Sequence, residues 1–222
     1  MAASQNVQFP MAVEDYVKVV YAHTEWQPEP ITSSVLAGRL GLAASSVTEM
    51  VKKLGAQGLV DHVPYGAVTL TADGTALALR MLRRHRLIET WLVQHFGYGW
   101  DEVHDEAEVL EHSLSDRLLD KIDEQLGFPT RDPHGDPIPS RGGTIDQPAA
   151  VLLRDVVVGE TVRVVRISDR DPLLLRHLEA EGITLDRAFT LVSTEPFVVR
   201  AEGVDGDRTI APDSLDSVWV SR

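Results

Sequence analysis

Four side chains, His104, Glu108, Glu111 and His112, constrain what this chain can build more than any other feature. Their offsets of four, three and one put them on one face of a helix of ~3.6 residues per turn. A second pair, His85 and Glu89, sits four apart near the end of the preceding apolar-periodic segment. Two short antiparallel helices would bring both sets together. A single Glu/His pair at this spacing is ordinary on a solvated face. Six oxygen or nitrogen donors on two neighbouring helices are not, and they point to metal binding.

Composition narrows the chemistry. The 222 residues are long for one compact unit and suggest more than one domain, each with enough apolar content for a core. The chain has no cysteine, which removes disulfides, thiolate zinc sites and cysteine nucleophiles and fits a reducing cytoplasm. No run of ~18 uninterrupted apolar residues occurs. The start Met1-Ala-Ala-Ser-Gln lacks the basic and apolar regions of a signal peptide. The expectation is a soluble cytoplasmic protein with no membrane partner. Charge is unevenly placed: residues 1–95 carry eight basic and eight acidic side chains, so the whole net charge of -13 lies beyond them. An anionic duplex would therefore be approached by the N-terminal part only.

That part has the pattern of a DNA reader. Val13, Tyr16, Val17, Val20 and Tyr21 recur at helical spacing before Pro28 and Pro30 break the pattern. Thr32, Ser33 or Ser34 can cap a short helix carrying Val35, Leu36 and Leu40. Gly41 then turns the chain, and Ser45 or Ser46 opens a third helix with Val47, Met50, Val51 and Leu54 inward. Residues 59–62, the turn Pro64-Tyr65-Gly66 and residues 67–70 read as a hairpin, completing a winged helix-turn-helix. The outward face of the third helix offers Ser45, Ser46, Thr48, Glu49, Lys52 and Lys53. Of these, Ser45, Ser46, Thr48 and Lys52 are the candidate DNA contacts, hydroxyls for phosphates and base edges and a lysine for phosphate.

Residues 71–96 read as a long helix with Leu77, Met81, Leu82, Leu87, Ile88, Trp91 and Leu92, closed by Gly97. Arg80, Arg83, Arg84 and Arg86 on it read as a solvated or carboxylate-pairing face. Asp101 can cap the helix bearing the donor stripe, and Ser113 or Ser115 can open another. The apolar faces of these helices exceed one protomer's need and imply a homodimer, as two-fold DNA half-sites require. Prolines and glycines between Gly127 and Pro148 mark an irregular strap. Beyond it, β-branched runs at 161–167, 189–192, 197–201 and 218–220, with a helix near 172–181, suggest a small β barrel. His23, His62, His95 and His134 have no companion donors at ligand spacing and are assigned no function.

The order of these motifs carries a resemblance. A winged helix, Arg83-Arg84-His85-Arg86-Leu87-Ile88-Glu89, then His104 to His112 reading H-D-E-A-E-x-x-E-H, then Pro133 to Pro139 reading P-x-G-x-P-I-P, and a barrel resemble the diphtheria toxin repressor family over essentially the full chain. The resemblance implies a mostly α protein with a β appendage: a DNA-binding winged helix at 1–74, a helical metal-binding and dimerization domain at 75–145, and an SH3-like barrel at 146–222. It implies a metal-activated, operator-binding repressor rather than an enzyme, and two metal sites. An ancillary site would use His85, Glu89 and His104 with a barrel acid, for which Asp171 is the nearest match and Asp169 and His177 are neighbours. A primary site would use Asp15, Glu108, Glu111 and His112. Iron-responsive relatives place Met and Cys where this chain has Asp15 and Glu108. Two carboxylates in place of sulfur make Mn²⁺ the expected metal, with Fe²⁺ or another divalent ion as alternative. The manganese branch's further helix-one Glu aligns with Lys18, so separated sites are expected rather than a paired-metal cluster.

Other classes fit less well. His104-Asp105-Glu106-Ala107-Glu108 fails the H-E-x-x-H spacing of zinc proteases. A di-iron bundle enzyme needs two Glu-x-x-His motifs, and none occurs. A winged-helix sensor of a small organic ligand leaves the donor stripe unexplained, and an iron-dependent repressor of the same family stays open.

Overall fold

The structure is a computed structural model that describes residues 9–63, 66–202 and 206–222. The chain divides into two compact units, Met1–Arg84 with Pro139–Thr144, and His85–Ile138 with Ile145–Arg222.

In the first unit, α1 (Met11–Thr24) turns Val13, Tyr16, Val17 and Val20 inward. After β1 (Ile31–Thr32), the Thr32 hydroxyl accepts the Val35 N–H at 3.3 Å and caps α2 (Ser33–Leu40). Gly41 ends α2 at φ 65°, the left-handed conformation a side chain would strain. Helix α3 (Ala44–Ala56) follows, capped by Ala43 without a side-chain bond, so Ser45 and Ser46 lie within its first turn instead of opening it. Strands β2 (Val60–His62) and β3 (Ala67–Leu70) pair antiparallel, with β1 on the far side of β3. In the expected hairpin turn, Pro64 and Tyr65 lie outside the described residues. Helix α4 (Ala72–Phe96) starts close under this sheet: a Cβ on Gly74 would meet the Leu59 carbonyl oxygen at 1.9 Å. Val47, Val51 and Leu54 of α3 join Leu36, Ile31, Leu59 and Val68 in one core, each such side chain stabilising the unit by ~1.5–3 kcal/mol.

The second unit takes α4 from His85, α5 (Val103–Glu111) and α6 (Asp116–Gln125), packed through Leu87, Ile88, Leu92, Val103, Ala107 and Leu119. Ser115 caps α6 by accepting from Leu118. Asp101 does not cap α5. The N-cap is Glu102, without a side-chain bond, and the Asp101 carboxylate instead accepts from Arg176 at 2.5 Å. The remaining strands are β4 (Val151–Leu152), β5 (Thr161–Ile167), β6 (Ala188–Thr194), β7 (Phe197–Ala201), β8 (Arg208–Thr209) and β9 (Val218–Ser221). They form one antiparallel sheet in the order β4-β9-β5-β6-β7-β8, and α7 (Pro172–Ala180) adds Leu175 and Leu178 to its core. Strands of two residues, such as β4 and β8, carry no readable alternation and were not expected.

The proline-rich strap is ordered by its own aspartates. Asp132 Oδ1 accepts the backbone N–H of His134 at 2.8 Å and of Asp136 at 2.9 Å, an Asx-type turn. The turn presses on β5. A Cβ on Gly135 (φ 92°) would lie 2.0 Å from the Val165 carbonyl oxygen, and Ile167 N–H donates to the His134 carbonyl at 2.9 Å. Below it, buried Asp136 accepts from Arg166 of β5 at 2.8 Å and lies 3.5 Å from Arg86 of α4. Arg166 in turn stacks 4.2 Å over the Trp219 ring. The strap thereby ties helices to sheet within this unit.

Candidate metal centre and DNA-reading face

Helical periodicity delivers the α4 and α5 donors where the spacing placed them. His85 Nε2 lies 3.0 Å from Glu89 Oε1 and 3.2 Å from His104 Nδ1, and His104 Nδ1 lies 3.4 Å from Glu89 Oε1. The sheet domain supplies the next donor, and it is Asp169. Its Oδ2 lies 3.2 Å from His104 Nδ1. Asp171, the expected barrel ligand, is committed elsewhere: it caps α7, accepting from Leu173 and Leu174 at 2.9 and 3.3 Å. Asp169 lies two residues earlier, in the loop between the end of β5 at Ile167 and the start of α7 at Pro172.

The strap contributes a donor the sequence did not reveal. His134 is fully buried, and its Nε2–H donates to the Trp100 carbonyl at 2.6 Å. Its Nδ1 has no hydrogen-bond partner among the described residues and lies 3.9 Å from Glu89 Oε2. A buried imidazole held through one nitrogen with the other aimed at carboxylates is how a metal-ligating histidine is oriented. Glu89, His134 and Asp169 form one group able to hold an ion, and His85, His104 and Glu108 another. Only the preceding Asp132-Pro133 and the following Gly135 hinted at a tight turn here; the companions Glu89 and Asp169 are remote in sequence.

Electrostatics in the absence of an ion follow from crowding. Burial works against charge on Glu89, yet the His85 charge and hydrogen bonds from His104 and His85 hold its carboxyl well below the usual carboxylate range. Burial likewise opposes the His104 cation, but Asp169 and Glu89 push its pKa up to about 11. Asp169 is held low by His104, His134 and Arg166 against its own burial. His134 is raised, Glu89, Asp132 and Asp169 outweighing burial. A divalent cation held by these groups would have to displace the protons that the carboxylates now favour on the histidines. Asp132 differs: burial first, then the neighbouring Asp136 and Glu89 charges, push it up to about 8.

The lower part of the stripe lies beside this group. His85 Nδ1 is 2.6 Å from Glu111 Oε2 and 3.7 Å from Glu108 Oε1, and Glu111 Oε1 is 3.3 Å from His112 Nε2. Glu108 Oε1 is also 3.6 Å from His104 Nε2. Asp15 sits half-buried on α1 in the first unit.

In that unit, Ser45, Ser46, Thr48, Glu49, Lys52 and Lys53 are all exposed on α3, opposite buried Val47, Val51 and Leu54. Thr48 meanwhile donates to the Ala44 carbonyl at 2.8 Å. The arginines of α4 pair largely with the protein: Arg80 with Glu14 at 3.6 Å, Arg83 with the Pro139 carbonyl at 2.8 Å, and Arg86 with Asp132, Asp136 and the Pro137 carbonyl.

Comparison with known proteins agrees with this layout. Residues 9–68 match the model of the iron dependent repressor N-terminal DNA binding domain, 71–140 that of the iron dependent repressor metal binding and dimerisation domain, and 151–220 the FeoA domain. The diphtheria toxin repressor of Corynebacterium efficiens is 31% identical over 195 residues, covering 86% of this chain and 84% of that protein. The chain belongs to the diphtheria toxin repressor family. It is thus a metal-dependent transcriptional repressor of mostly helical architecture with an SH3-like sheet domain, and not an enzyme. The iron-dependent repressor IdeR of Mycobacterium tuberculosis is 33% identical over 159 residues, covering 68% of this chain and 69% of that one. A solved manganese-dependent transcriptional repressor in complex with manganese is 46% identical with a TM-score of 0.90, covering 94% of this chain and 98% of that chain. Among the described residues, no helix is long and apolar enough to cross a membrane.

Proposed function

We propose that this chain is a manganese-responsive, homodimeric repressor of metal-uptake genes that binds double-stranded operator DNA in the cytoplasm. The observation that carries the reading is the donor set itself: Glu89, Glu108, Glu111 and Asp169 supply carboxylate oxygens beside the imidazoles of His85, His104 and His134, in a chain without cysteine. Mn²⁺ lies below iron in raw affinity for most sites, so selectivity rests on ligand type, and hard oxygen donors favour it over metals that gain most from sulfur. The 46% identity to a manganese-dependent repressor supports the same choice.

The second ion would be held by Glu108, Glu111 and His112, with Asp15 of α1 supplying the donor from the DNA-reading unit. When bound, the metal supplies charge neutralisation and a rigid link; the chemistry is structural. Asp15 belongs to the unit that carries α3, whereas Glu111 and His112 belong to the dimerization helices, so occupancy fixes the spacing of two recognition helices. Those helices must enter major grooves about one duplex turn apart, ~34 Å, which a protein sampling many spacings does poorly. On α3, Ser45, Ser46, Thr48 and Lys52 are the proposed contacts. Exposed Phe96, Val109 and Leu118 on the helical layer support self-association.

Fluorescence anisotropy tests this with labelled promoter fragments of metal transporters and metal-free protein titrated with Mn²⁺, Fe²⁺ or Zn²⁺. Binding to a subset of fragments is expected only with metal, Mn²⁺ acting at the concentrations a cell holds. Binding that no metal changes would remove the regulator assignment.

A further inference from the structure

Glu111 is fully buried and reaches in two directions: Oε1 toward His112 Nε2 at 3.3 Å and Oε2 toward His85 Nδ1 at 2.6 Å. An ionised carboxylate only accepts, so the hydrogen between Glu111 and His85 belongs to the imidazole Nδ1. The same argument puts a hydrogen on Nε2 toward Glu89 Oε1 in the metal-free protein; an ion facing Glu89 and His104 displaces that proton and takes the Nε2 lone pair, while Nδ1–H stays on Glu111. Were Nδ1 unprotonated, its lone pair and that of the carboxylate would oppose each other at 2.6 Å.

We propose that Glu111 is the positioning residue of the His85–Glu89–His104–His134–Asp169 centre, holding His85 in the ligating tautomer, while it also serves the His112 side of the stripe. This rests on the metal-centre reading above and extends it: one carboxylate joins two centres. Its consequence is a coupling with a definite sign. A cation drawing charge from Glu111 Oε1 weakens the carboxylate as acceptor, which makes His85 a poorer ligand; by reciprocity, occupancy of the His85 centre lowers affinity at the His112 side by the same factor. Carboxylates that orient a ligating histidine in this way are worth ~10–100-fold in metal affinity, which bounds the coupling from above.

The test isolates the His85 centre by first removing the other. His112→Asn, titrated calorimetrically with Mn²⁺, should give a one-centre isotherm; adding Glu111→Gln keeps the shape of the side chain but replaces the charged acceptor by a neutral one. The double variant should bind Mn²⁺ 10–100-fold more weakly than His112→Asn alone, and equal affinity within twofold overturns the proposal. Proton–nitrogen correlation spectra of the metal-free wild-type protein provide a readout that needs no metal and no variant. A His85 Nδ1–H strongly shifted by its carboxylate is expected, and a His85 ring protonated on Nε2 alone overturns the proposal. Should His112→Asn and wild type both fail to bind Mn²⁺ while the Nδ1–H signal is present, the metal-centre reading fails and the coupling with it, whereas equal affinities in the two variants overturn the positioning role of Glu111 and leave the metal-centre reading standing.

Discussion

Replacing His134 by Gln separates the structural from the ligating role of the strap. In the folded protein His134 Nε2–H satisfies the Trp100 carbonyl, and Nδ1 faces Glu89. A glutamine amide can donate to the same carbonyl but offers no nitrogen lone pair to an ion, so metal-free stability should fall by less than ~1.5 kcal/mol, one net hydrogen bond. Alanine would leave that carbonyl unpaired and a hole behind, costing ~2–5 kcal/mol. Metal affinity should fall by at least the ~100-fold upper range of a supporting residue, because a donor itself is lost. Denaturant unfolding reads both quantities. With free Mn²⁺ at ~1,000 times the wild-type Kd, this centre stabilises the fold by ~4.1 kcal/mol; after a ~100-fold loss the same concentration gives ~1.4 kcal/mol. A metal-dependent stabilisation in His134→Gln still near ~4 kcal/mol would refute the assignment of His134 as a ligand.

Other expectations follow from the same geometry. Asp136→Ala leaves the Arg86 and Arg166 guanidinium groups buried without their shared carboxylate, so thermal or chemical unfolding should show ~3–5 kcal/mol of destabilisation, and a loss under ~1 kcal/mol would mean the strap is held by other contacts. His104, raised to about 11 by Asp169 and Glu89 against burial, stabilises the metal-free fold fully below its ordinary pKa, and that contribution is lost as pH rises through about 11. An ion must displace this proton, so Mn²⁺ affinity should drop as pH is lowered; calorimetry at neutral pH in buffers of different ionisation enthalpy should find about one proton fewer released by His104→Gln. Lys52→Ala should weaken DNA binding uniformly across sequences and reduce the slope of log affinity against log salt by ~1, and a change of sequence preference instead would place Lys52 at base edges.

What could be read from the sequence was whatever repeats locally. Donors on α4 and α5 were legible because a helix brings positions three and four apart onto one face, and the reading helix was legible from the turn at Gly41 and the alternation of buried Val47, Val51 and Leu54 with exposed hydroxyls and lysines. His134 was not, since its partners Glu89 and Asp169 reach it only through the docking of strap on sheet. The choice between Asp169 and Asp171 turned on which acid the α7 N-terminus claims, and Asp171-Pro172 carries the local signature of an N-cap followed by proline at the first helical position. Asp132 and Asp136 sit in a Pro- and Gly-rich stretch without helical or strand periodicity, and their burial against Arg86 is fixed by tertiary contact.

Asp15→Asn addresses the central claim, that metal acts by joining the DNA-reading unit to the dimerization helices. Operator binding of wild type and variant would be followed by anisotropy across an Mn²⁺ titration, with calorimetry on the same samples to count bound ions. The account predicts a folded variant that still fills the centre at His85, Glu89, His104, His134 and Asp169 yet no longer gains DNA affinity with Mn²⁺. Metal-dependent operator binding equal to that of the wild type would contradict it.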